Sequence, residues 1–215
     1  MENNKQSAQS FFTKIENFWY YYKTPVILAA VFIFIISVLM IQNKDSVKTD
    51  LNIALITTGT VHEGTINFEN HVVDLLKDSD GNGEKHVTMS RIFMTSNEKD
   101  EKNETARYHV ETLLADRGAV IFLFDRTNYD RFIVKDAFCP LDELMPIDNY
   151  TDKLLYRGET PIAFSLKGSR LLADMGFSND DLYATVLFRR PEDAQNQTIN
   201  TQYENGVAVL TELLK

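Results

Sequence analysis

Apolar and polar positions sort this chain into distinct regimes. Val26 to Ile41 reads VILAAVFIFIISVLMI, an apolar run in which Ser37 is the lone polar residue. Lys23 and Lys44 bracket the run, and Phe18-Trp19-Tyr20-Tyr21-Tyr22 precedes it. A helix of about 20 residues crosses a hydrocarbon core of about 30 Å, and aromatic rings favour the headgroup zone. The pattern predicts a transmembrane helix over 24-42. Gln42-Asn43-Lys44-Asp45 offers no small-x-small cleavage site, so the segment reads as an uncleaved signal anchor. Residues 1-23 form a cytoplasmic or interfacial head, with Phe11, Phe12, Ile15, Phe18 and Trp19 at helical spacing. Residues 43-50 are polar and read as a tether.

Beyond the tether the pattern changes to short apolar runs alternating with helical periodicity. Leu51 to Ile56, Val87 to Met94, Ala119 to Phe124, Pro161 to Leu166 and Leu182 to Phe188 read as strands. Phe68 to Lys77, Glu104 to Asp116, Asn128 to Asp136, Ser169 to Met175 and Thr201 to Leu214 read as helices, with Gly118 stopping the second. Continuous apolarity in Ala119 to Phe124 means burial on both faces, as in a central parallel strand. Strand-helix alternation implies right-handed crossovers and helices on both faces of the sheet. The expected fold class is α/β: an N-terminal transmembrane helix, then a small three-layer domain at 51-215 with a mixed, mostly parallel sheet.

Charge sharpens the division. The 215 residues carry a net charge of -9. Residues 1-44 hold four lysines against two glutamates, +2, which leaves 18 basic and 29 acidic residues, -11, for the remainder. An acidic body argues against nucleic acid, whose phosphates require a basic face. Lysines 5, 14 and 23 precede the span and Lys44 and Lys48 follow it, a bias that places the N-terminus in the cytoplasm and the body outside. A single cysteine, Cys139, makes no internal disulfide and reads as a small apolar residue.

Two places carry candidate chemistry. In a parallel sheet, ligands bind at the carboxyl ends of strands, at the switch point of the topology. That rule points to Thr57, Thr58 and Thr60, to Thr95 and Ser96, and to Asp125 and Arg126. The second place is Asp78-Ser79-Asp80-Gly81-Asn82-Gly83-Glu84. Asp78, Asp80 and Asn82 stand at positions one, three and five of a calcium loop of the helix-loop type, with Gly83 at the sharp turn and the Glu84 carbonyl at position seven. Met89 occupies position twelve, where a bidentate Glu belongs, so calcium needs a carboxylate from elsewhere in the chain. The alternative is a helix-to-strand turn that uses Asp, Asn and Gly for their conformations.

The run Ala137-Phe138-Cys139-Pro140-Leu141-Asp142-Glu143-Leu144 resembles a segment of extracellular solute-binding proteins that reads gly/ala-hydrophobic-x-pro-leu-asp-asp/glu-leu. Thr160 to Leu166 is similar to the strand by which those proteins leave that segment. The layout, with Tyr21-Tyr22-Lys23 before the span and one α/β domain after it, resembles uncharacterised single-span membrane proteins of clostridia-like Gram-positive bacteria. The resemblance implies an extracytoplasmic domain equivalent to one solute-binding lobe. Solute-binding proteins have two lobes and a hinge, whereas the roughly 165 residues after the tether suffice for one.

Together these readings make the chain a non-catalytic, membrane-anchored binding or interaction domain. Its partners are the lipid bilayer through 24-42 and a protein or small ligand. One alternative is a scaffold or assembly subunit of a membrane complex. The other is an enzyme at the strand-end cleft, with Asp125 and Glu63 as acid and base.

Overall fold

The computed structural model describes residues 18-38, 49-59, 64-97, 99-177 and 182-215. The chain divides into two units, Met1–Val47 and Lys48–Lys215. The first contains helix α1, Phe18–Val38, with a mean hydropathy of 1.9. Its 21 residues rise about 32 Å at 1.5 Å each, enough for a bilayer core. Five consecutive aromatics at 3.6 residues per turn ring the helix completely, with Phe18 and Tyr22 stacked at 5.0 Å. All five are more than half exposed, as are Phe32, Ile33 and Phe34 further along. The helix starts earlier than the span read from hydropathy and passes through Pro25, which withdraws the N–H that would pair with the Tyr21 carbonyl. Residues 1-17 and 39-42, which complete the expected head and span, lie outside the described residues, as does the tether up to Lys48.

In the second unit the apolar runs become strands β1 (Leu51–Thr57), β2 (Val87–Phe93), β3 (Ile121–Asp125), β5 (Thr160–Ser165) and β6 (Leu182–Val186). A strand that hydropathy did not mark, β4 (Leu154–Arg157), joins β5 at the sheet edge. The strand order is β2-β1-β3-β6-β5-β4. Pairing is parallel across β2-β1-β3 and antiparallel across β3-β6-β5-β4. Four of the six strands therefore point the same way, and the sheet is mixed.

Helices cover both faces. Leu51, Ile53 and Leu55 of β1 pack with Phe68 and Val72 of α2 (Gly64–Val73), Leu171 and Leu172 of α5 (Arg170–Asp174), and Val209, Leu210 and Leu213 of α6 (Gln197–Leu213). Ala54 and Ile56 face the other way, toward Val110 of α3 (Lys102–Asp116) and Tyr129 and Phe132 of α4 (Arg126–Phe132). This is the expected three-layer α/β fold. Helix limits differ from the periodic reading. α2 begins and ends four residues sooner, and buried Leu76 belongs to the turn after it. α3 ends on Arg117, held left-handed at φ 58°, rather than on Gly118. The segment Ala137 to Leu144 fastens the far end of β6. Cys139 N–H donates to Val186 O at 2.8 Å, Phe138 bridges Leu187, and fully buried Leu141 enters the core.

One core position conflicts with its surroundings. Thr185 sits opposite Phe122 across β3 and β6, fully buried, and its hydroxyl has no hydrogen-bond partner among the described residues. An unpaired buried hydroxyl costs about 1–3 kcal/mol. Thr185→Val removes the hydroxyl and keeps the branched shape, so thermal melting should show a gain of about 1 kcal/mol. A lowered melting temperature would mean that the hydroxyl is used.

Candidate functional site

The amino ends of β1 and β2 carry the acidic loop. Gly81 and Gly83 adopt φ of 76° and 85°, a region that side chains disfavour, and this curls the chain around Asp78. The Asp78 carboxylate accepts the N–H groups of Gly83 at 2.7 Å, Gly81 at 2.7 Å and Asp80 at 3.1 Å. The Gly83 donor, and then those of Gly81 and Asp80, hold the Asp78 carboxyl below its ordinary pKa. Asp80 accepts from Asn82, and Asn82 accepts the Glu84 N–H at 2.7 Å. The Glu84 carboxylate turns away to His86 Nε2 at 3.1 Å.

A third carboxylate arrives from a distance. Asp50, which closes the polar stretch before β1, is 1% exposed. Its two oxygens accept Ser79 N–H at 2.6 Å and His86 N–H at 2.7 Å, one from each side of the loop. Ligand atoms of Asp50, Asp78 and Asp80 all lie within 4.8 Å of one another. Among the described residues no lysine or arginine pairs with any of the three. A carboxylate offers about four acceptor positions. Asp78 uses three of them, and Asp50 and Asp80 two each, so lone pairs remain for a cation. These three residues could hold a hard divalent ion, while the Asn82 oxygen is turned onto the Glu84 N–H. Oxygen donors of this kind suit calcium.

The carboxyl ends of β1 and β3 do converge, but as a lock. Asp125 caps α4: its Oδ1 accepts Asn128 N–H at 2.9 Å and Asn128 Nδ2 at 3.0 Å, and its Oδ2 accepts the Thr58 N–H. Thr57 Oγ1 turns back onto the Gly59 carbonyl at 2.9 Å. Arg126 lies over the Tyr183 ring and pairs with Asp130 at 3.1 Å. Thr95 and Ser96 present their carbonyls to the Arg131 guanidinium at 2.9 and 2.8 Å, while Asn103, 5% exposed, wraps the same turn. Thr60 and Glu63 lie outside the described residues, so the pairing of Glu63 with Asp125 does too. The residues chosen by the switch-point rule are linked through Asn128 and Arg131, yet Asp125 spends its oxygens on Thr58 and Asn128, and Thr95 and Ser96 give their carbonyls to Arg131.

Sequence reasoning passed over Asp50, Asn103, Asn128 and Asn205. All four are at most 5% exposed and hydrogen-bonded at several atoms. Cys139 is buried as expected, and burial pushes its thiol up to about 11. No family model matches this chain, and no curated protein or solved structure does so.

Proposed function

We propose that this is a single-span membrane protein whose 51-215 unit works outside the cytoplasm as a binding or interaction domain without catalysis. The observation that carries the reading is α1, long and apolar enough to span, attached to a separately folded α/β unit. The lysine bias around the span supports an external body. Non-catalysis is supported by the strand-end lock, in which Asp125 is a cap instead of a poised acid. The likeness of Ala137 to Leu144 to a solute-binding segment supports ligand or partner capture over pure scaffolding. An anchor raises the local concentration of such a domain beside a membrane complex. Reagents that cannot cross the membrane must reach the unit in intact cells; access only after lysis contradicts the reading.

A second element of the reading is calcium at the acidic loop, favoured by the arrival of Asp50 beside Asp78 and Asp80. Calcium would offset three clustered carboxylates and fix the start of β1 to the loop. Extracellular sites bind at about 10⁻⁴ to 10⁻³ M. At ten times Kd the folded state gains about 1.4 kcal/mol. Millimolar calcium should therefore raise the melting temperature, a chelator should reverse the rise, and Asp80→Ala should abolish it. The absence of both binding heat and a thermal shift in the wild type removes calcium from the account.

A further inference from the structure

We propose that the groove between α6 and the Cys139 to Leu144 segment is a binding site for a short apolar peptide with free termini. The groove is open to solvent and offers about 720 Å³, a volume within the range of small-ligand sites. Asn200, Tyr203, Glu204 and Val207 line it from one face of α6, at the i, i+3, i+4, i+7 spacing of a helical stripe.

Charge decides the ligand class. Arg189 donates to Asn200 Oδ1 at 2.8 Å and lies over the Tyr203 ring at 6.0 Å. It has no carboxylate partner among the described residues. Two contacts thus hold a guanidinium in place while donors remain free, the arrangement that receives a carboxylate. Glu143 lines the same groove and has no cation partner among the described residues. The other two charges cancel, since Lys77 and Glu204 pair at 2.8 Å. The floor adds no charge, because burial keeps the Cys139 thiol and the Tyr203 phenol protonated at neutral pH. What remains is one unpaired cation and one unpaired anion, with Leu144, Phe188 and Val207 as apolar surface between elements. A carboxylate and an ammonium at the two ends of an apolar body satisfy both charges. A volume of this size exceeds what one free amino acid requires.

The inference deepens the reading of the unit as a binding domain and is independent of which side of the membrane it occupies. The test titrates the full-length protein in detergent with L-leucyl-L-leucine by calorimetry. Saturable binding is expected. Acetylating the peptide's amine or amidating its carboxylate should each weaken it about tenfold or more, since each removes a charge-assisted bond. Arg189→Met and Glu143→Gln should weaken the free dipeptide to a similar extent at unchanged melting temperature. No saturable heat, equal affinity for the capped peptides, or unaltered binding by the two variants overturns the proposal. A null titration leaves the anchored-domain reading standing, and a cytoplasmic body leaves the groove standing.

Discussion

Replacing Asn205 by leucine should cost about 3–5 kcal/mol of stability, although the side chain is neither apolar nor charged. Asn205 lies on the inner side of α6 and is 1% exposed. Its Oδ1 accepts the Lys77 N–H at 2.7 Å, and its Nδ2 donates to Lys77 O at 2.8 Å and to Asp50 O at 3.1 Å. One amide therefore closes the turn after α2 and ties that turn to the start of β1. Leucine fills much of the volume but leaves an N–H and two carbonyls without partners. Each such group costs about 1–3 kcal/mol where it is cut off from water. Domains of this kind have about 5–15 kcal/mol in all, so the variant loses a large share. Urea unfolding should show a lower midpoint with an unchanged slope. A loss under about 1 kcal/mol would mean that water enters and replaces the amide.

Asp125→Ala should cost about 3 kcal/mol, and here the number discriminates between roles. As the cap of α4 the carboxylate contributes about 0.5–2 kcal/mol. Its further bonds to Asn128 Nδ2 and to the Thr58 N–H tie β1, β3 and α4 together at their polar end. Removal orphans donors on two elements, one of them on Asn128, which is fully buried. Asp125→Asn keeps one acceptor oxygen and should fall between alanine and wild type. A catalytic acid left free for substrate would behave differently, since its removal leaves the fold intact or relieves it. An alanine variant as stable as wild type would return Asp125 to the list of chemically available groups.

These two residues also mark where the sequence stops being legible. The apolar helix α1 and strands β1 and β3 were readable because uninterrupted apolarity marks them directly. The three-layer α/β arrangement followed from strand-helix alternation. β4 was not readable, being four residues long with Leu154 and Leu155 as its only apolar pair. Asp50 looked like the last residue of a polar tether, and Asn205 like one more polar position in Gln202-Tyr203-Glu204-Asn205-Gly206. Both are buried because of what packs against them, which a single sequence does not display. Gly206 was an available signal. A Cβ there would meet Val120 Cγ1 at 3.0 Å, and a glycine in mid-helix hints at close approach to the sheet. The acidic loop was visible as a motif lacking its final carboxylate, and the distant Asp50 brings a carboxylate within 4.8 Å of those of Asp78 and Asp80.

The side of the membrane on which the α/β unit resides can be read directly by labelling. Val134 follows α4 and is 72% exposed, so a cysteine placed there is open to solvent. Native Cys139 is 5% exposed with its thiol pushed up to about 11, and it stays silent toward a maleimide in the folded protein. Val134→Cys in the full-length chain is therefore treated with a membrane-impermeant maleimide in intact cells. An anchored external domain predicts labelling before lysis at the same level as after it. Labelling that appears only once the cells are broken would place the unit in the cytoplasm and contradict the account.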